Sequence, residues 1–184
     1  MKAYYLLPLL LVCLLTAAMH VSAEDSLRIT AKSVASSKTG DSRETDLTGA
    51  TAVQNGMRLQ ADRMVIRTEE DQHVLTATGA ARLQDAVSII TGDSITVDSS
   101  AKTAEAAGHA VLEMTAKAAE GQTEGTKLVF TADVLSYDYQ THKARLNGHV
   151  TLKLPEMSCD FGDAVVEYDW QAGKLTVQPK AVEK

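Results

Sequence analysis

Apolar and small residues fall at every second position in several stretches, as in Leu75, Ala77, Gly79, Ala81, Leu83 and in Leu146, Gly148, Val150, Leu152. Period-two alternation puts one side-chain set on one face of an extended backbone, so each stretch predicts a strand with one buried side. The stretches also repeat. A glycine-centred segment recurs around Gly49, Gly79, Gly108 and Gly148, at intervals of 30, 29 and 40 residues. Between these lies a second segment, apolar then small then acidic: Leu59-Gln60-Ala61-Asp62, Ile90-Thr91-Gly92-Asp93 and Phe130-Thr131-Ala132-Asp133. Phe161-Gly162-Asp163 is a shifted fourth copy, and Ile29-Thr30-Ala31-Lys32 is a half repeat with Lys32 in the place of the acid.

The alternation breaks inside the acid segments. Leu59 and Ala61 share one phase while Met64 and Ile66 take the other, and Ile90, Gly92, Ile95 and Val97 repeat the break. A bulge or corner there turns both apolar sets inward and leaves the aspartate outside the bend. Turn chemistry separates the segments at Gln54-Asn55-Gly56, Glu69-Glu70-Asp71, Asp98-Ser99-Ser100 and Asp138-Tyr139-Gln140-Thr141. Evenly spaced strands and turns predict an all-β fold: hairpins stacked into a twisted β-jellyroll or open-ended sandwich. The stretch from Thr115 to Lys127 accounts for the longest glycine interval and reads as an inserted hairpin loop or a turn of helix.

Composition narrows the function. Lys2, the apolar run Tyr4–Ala18 and the small residues of Val21-Ser22-Ala23 read as a secretory signal peptide over residues 1–23, leaving one exported domain over 24–184. Cleavage leaves Cys159 as the only cysteine, which excludes an internal disulfide and a thiolate metal cluster. A net charge of -6 over 184 residues disfavours nucleic acid, whose binding rests on a basic face. His73, His109, His142 and His149 lack paired metal-ligand spacing, and His109 and His149 follow repeat glycines on the outward face. No nucleophile elbow or phosphate-cradling glycine loop is present, and Asp62, Asp93 and Asp133 recur for reasons of fold. The chain therefore reads as a non-enzyme with no cofactor.

The segments around Leu47-Thr48-Gly49, Leu59-Gln60-Ala61-Asp62, Gly92-Asp93-Ser94-Ile95-Thr96-Val97 and Leu146-Asn147-Gly148-His149-Val150 resemble the OstA-like lipopolysaccharide transport family, most closely its soluble periplasmic branch. The resemblance covers roughly residues 26 to 178 and implies a periplasmic carrier. Its apolar interior would hold lipid A acyl chains, and its edge strands would join LptC-like and LptD-like proteins, or further copies of itself, in a bridge from inner to outer membrane. The shifted Asp163 segment and the insert depart from the pattern. The lipid-binding set expected from the inward phase is Leu59, Met64, Ile66, Leu75, Leu83, Ile90, Ile95, Val97, Leu112, Phe130, Leu135, Tyr137, Leu146, Val150 and Leu152. Small inward residues (Ala61, Ala77, Gly79, Ala81, Gly92, Gly108, Ala110, Ala132, Gly148) and only eight aromatics predict an interior that is lined rather than packed. Ser26–Lys32 and Lys174–Gln178 are the expected joining edges. Arg28, Lys32, Arg43, Arg58, Arg63, Arg67 and Arg82 read as a solvated face, with contact to lipid phosphates as the sharper alternative. Two rival readings are a structural adaptor with a filled interior and an LptC-like subunit that keeps its N-terminal segment as an inner-membrane anchor.

Overall fold

The computed structural model describes residues 27–39, 42–69, 72–118 and 125–180, so the expected signal peptide lies outside the described residues. Among the described residues, eleven strands form one antiparallel sheet: β1 (Arg28–Thr30), β2 (Ser33–Thr39), β3 (Ser42–Gln54), β4 (Met57–Glu69), β5 (Gln72–Gln84), β6 (Ser88–Asp98), β7 (Thr103–Thr115), β8 (Lys127–Asp138), β9 (Lys143–Lys153), β10 (Ser158–Asp169) and β11 (Lys174–Pro179). From β3 to β11 each strand pairs with the next, while β1 and β2 pair side by side with β3. The sheet is not closed, in agreement with the open-ended all-β architecture expected from the repeat.

The turns follow their residues. Asn55 and Gly56 both take positive φ, 50° and 74°, which is the left-handed twist a two-residue hairpin requires. Three longer turns share one construction: Asp98, Asp138 and Asp169 each stand four residues before a left-handed residue, Lys102, His142 and Gly173. In each, a carboxylate oxygen accepts backbone N–H groups across the turn, from Ser100 and Ala101, from Gln140 and Thr141, and from Ala172. The turns also stack. The amide of Tyr139 donates to the Lys102 carbonyl and that of Trp170 to the His142 carbonyl, both at 3.2 Å.

A seam of irregular register crosses the sheet where the two repeat segments meet. Pairing shifts between Gln60 and Arg63, between Thr78 and Ala81, between Thr91 and Ser94, between Ala107 and Ala110, and between Thr131 and Val134. The acid segments supply the break in side-chain phase, but the left-handed backbone belongs to the glycine segments: Gly79 and Ala80, Gly108 and His109, and Gly148. This corrects the expectation that the corner sits in the acid segments alone. It also corrects Gly79, which is exposed on the outer side of the bulge, and Gly92 and Gly108, which are only half-buried. Asp62, Asp93 and Asp133 lie outside the bend, each over the glycine of the following strand, and Lys32 covers Gly49 in the same way.

The seam folds the sheet back on itself. The Phe130 ring, in the first half of β8, lies 5.6 Å from that of Tyr168, in the second half of β10, tilted by 39°, so side chains from opposite sides of the seam meet. The result is two layers of one continuous sheet with a common core. The insert after β7 is irregular in its described part, with the amide of Ala116 donating to the carbonyl of Thr126 at 2.8 Å; residues 119–124 lie outside the described residues.

Candidate functional site

Strand register aligns the inward side chains into rows that cross the sheet. One row runs Ile29, Ala52, Leu59, Leu83, Ile90, Leu112, Phe130, Leu152, Cys159. A second, beyond the seam, runs Val34, Leu47, Met64, Ala77, Ile95, Ala106, Leu135, Leu146, Val166, Val177. A third carries Ile66, Leu75, Val97, Ala104, Tyr137, Ala144, Tyr168 and Leu175. Every residue of the sequence-derived set points inward, none more than 7% exposed. The interior is therefore continuous and apolar from one edge of the sheet to the other.

These rows emerge uncovered at both edges. Ile29 and Val34 are 39% and 65% exposed on the first edge, and Leu175 and Val177 are 36% and 40% exposed on the last. β1 and β11, but for Pro179, lie within the segments expected as joining edges, of which Ser26 is outside the described residues; β2, which carries Val34, follows the expected Ser26–Lys32 segment and is not part of it. β11 pairs only with Ala164–Asp169, so no β11 partner covers Ser158–Asp163 of β10 in this register. The shifted fourth repeat explains a local irregularity there, a register break between Asp160 and Gly162 with Gly162 left-handed at φ 61°.

Between the edges the interior is closed, which departs from the expected lining. Met64, Ile95, Leu112, Phe130, Leu146 and Val150 are each 0% exposed because the layers touch one another through their side chains. The alternation also extended further than the fifteen residues named from sequence: Leu47, Met114, Leu128, Val166 and Tyr168 are buried in the same phases.

The open side of the folded sheet, where hairpin tips of one layer meet those of the other, is held by polar contacts that the repeat did not reveal. Tyr137 Oη donates to Asp85 Oδ2 at 2.7 Å and stands 2.8 Å from His142 Nδ1. A hydroxyl has one proton, so the hydrogen of the second bond belongs to His142 Nδ1. Asp85 Oδ1 meanwhile accepts the amides of Val87 and Ser88 and the Ser88 hydroxyl, which fixes the β5–β6 turn. Burial pushes the Tyr137 phenol well above its ordinary range, and the Asp85 carboxylate adds to the effect. Next along this side, Trp170 Nε1 donates to the carbonyl of Thr115 at 2.8 Å, its ring lies edge-on to His142 at 5.5 Å, and Lys117 Nζ sits 4.6 Å over the ring. Trp170 thus covers the rim, packed against the edge of the core.

The outer faces carry ion pairs, among them Arg63 with Asp46 and Arg67 with Glu44. The Arg63 guanidinium holds the Asp46 carboxyl below the usual carboxylate range. His109 and His149, both largely exposed, face Asp93 and Asp133 along the seam. Among the described residues no group of three or more His, Cys, Asp or Glu side chains is placed to hold a metal ion, and no helix is long and apolar enough to cross a membrane.

No model of a known protein family matches the sequence, and no curated protein matches it. Among solved structures, it is similar to LptH of Pseudomonas aeruginosa, the LptA-homologous periplasmic component of that organism's lipopolysaccharide transport device, with a TM-score of 0.53 at 12% identity over 85% of each chain. At that identity the likeness speaks for architecture alone: the open antiparallel sheet is built on the β-jellyroll fold of the LptA-like proteins.

Proposed function

We propose that the chain is a periplasmic lipopolysaccharide-binding transport protein, closest in role to LptA, which shields acyl chains between its two layers and bridges inner to outer membrane by joining LptC-like and LptD-like proteins edge to edge. The carrying observation is that apolar rows run the whole width of the sheet and stay uncovered at both edges, as Val34 and Val177 do. A lipid with several acyl tails does not cross water free, since each exposed methylene costs about 0.8 kcal/mol. A neighbour docked at either edge continues the rows and gives those tails an unbroken apolar path. The likeness to a periplasmic lipopolysaccharide transport component supports the same reading, as does the N-terminal segment read as a cleaved signal. Energy and direction come from elsewhere, and no catalytic step is involved.

The closed interior favours the adaptor as the second reading, in which the sheet serves only assembly. One experiment separates the two. A diazirine amino acid of aliphatic size is placed at Ile95, with Thr96 of the opposite face as control, and the protein is expressed in its native envelope and irradiated. A lipopolysaccharide adduct at Ile95 and none at Thr96 is expected of the carrier; a folded, exported protein without an Ile95 adduct is an adaptor. N-terminal sequencing of the exported protein decides the anchored alternative, because an intact segment from Met1 to Ala23 means a retained anchor.

A further inference from the structure

The buried lining and a multi-chain lipid are incompatible unless the layers part, and the two long sides of the fold differ in what joins the layers. Along the seam the layers are covalently continuous strands. Along the opposite side they are joined by side-chain contacts between hairpin tips: Asp85 of the β5–β6 turn with Tyr137 and His142, and Thr115 and Lys117 after β7 with Trp170 and the Gln171 carbonyl. The two groups touch through the His142 and Trp170 rings, so they form one line. Nothing covalent crosses it in the described residues.

We propose that this line is a clasp and that, on the carrier reading above, acyl chains enter sideways between the two layers when it opens, the glycine seam serving as the hinge. Its contacts are polar or ring-edge, each individually weak beside the core rows, and all can be replaced by water on opening. Asp85 keeps its three turn bonds when Tyr137 leaves, so the β5–β6 turn survives the opened state. The left-handed pairs Gly79-Ala80 and Gly108-His109 place backbone irregularity on the hinge line, where a change of bend angle disturbs the fewest ladder bonds.

The test uses the photoreactive Ile95 protein with Cys13 and Cys159 replaced by Ser. Ala86→Cys and Gln140→Cys are introduced on the two facing hairpins and bridged by a short bismaleimide, which leaves Asp85, Tyr137 and His142 intact. Bridged protein is expected to lose at least nine-tenths of its lipopolysaccharide adduct, while the same protein without the bridge keeps it. Equal adduct with and without the bridge overturns sideways loading and sends the lipid through the ends of the roll. Absence of adduct in both forms overturns the clasp together with the carrier reading, which separates the two failures. A second variant needs no bridge: Tyr137→Phe removes the central hydroxyl and is expected to speed adduct formation about five-fold, the factor a single neutral hydrogen bond represents. Trp170 is the sole tryptophan, so a red shift of its emission reports the loosened clasp in that variant. An unshifted emission with an unchanged rate overturns the proposal.

Discussion

Gly148 shows why the repeat glycines resist replacement. Its φ of 97° lies where side chains are strained, and a Cβ built there runs into the Asp133 carboxylate, which also accepts the His149 amide at 3.2 Å. Gly173 is left-handed too, at φ 61°, but a Cβ there meets open space. Gly148→Ala is therefore expected to lower unfolding stability by about 2–3 kcal/mol, against about 1 kcal/mol for Gly173→Ala. Urea denaturation measures both. The clash makes a further demand: in an Asp133→Ala background the cost of Gly148→Ala should shrink, giving a coupling of about 1 kcal/mol in a double-mutant cycle. Additive costs would show that φ alone accounts for the glycine. The pairing of acid and glycine was visible in the sequence only as two recurring segments. Their contact depends on strand register, which neither segment states by itself.

The turns of the second layer carry their own pH signature. Asp98 is held below the usual carboxylate range by the Ser100 hydroxyl and the Ala101 amide, and Asp169 by the Ala172 amide. Burial opposes the same lowering at Asp138 but is outweighed by the Thr141 and Gln140 bonds. A carboxyl whose folded pKa is depressed stabilises the fold above its unfolded value and loses that contribution as pH falls through the folded one. The triple variant Asp98→Asn, Asp138→Asn, Asp169→Asn keeps an acceptor in each turn and removes the charge. Its urea midpoint should lie below that of the parent at pH 7, and the difference should close as pH falls from about 4 towards 2. A gap independent of pH would mean that the turns need the acceptor and not its ionisation. The sequence announced two of these turns through Asp98-Ser99-Ser100 and Asp138-Tyr139-Gln140-Thr141; the third, Asp169 to Gly173, shares their four-residue spacing and was legible by the same sign.

At the scale of the molecule, alternation and the phase break at Asp62, Asp93 and Asp133 were enough to assign the inward face, because both are local properties of one strand. The clasp was not legible, because Asp85 and Tyr137 meet across a diagonal of several strands that only the fold-back and twist of the sheet create. An inward-phase tyrosine was the available hint, since a buried hydroxyl must find a partner. The edges follow from the same geometry and carry the last prediction. Val34 and Val177 end one apolar row at opposite edges, so a contact between them joins unlike surfaces and propagates into chains rather than closing. Val34→Lys and Val177→Lys each place a charge in that contact and spoil one end while leaving the other intact. On this account the parent forms concentration-dependent chains in sedimentation velocity, and either variant alone stays monomeric, because every possible contact includes one spoiled end. An equimolar mixture of the two should recover a species that stops at the dimer, since one copy's intact Val34 end finds the other's intact Val177 end and both outer ends are blocked. Thr176→Lys, a change on the opposite face of β11, should leave the chains unaffected. A mixture that stays monomeric, or single variants that assemble like the parent, would show that copies of this chain do not meet through these rows.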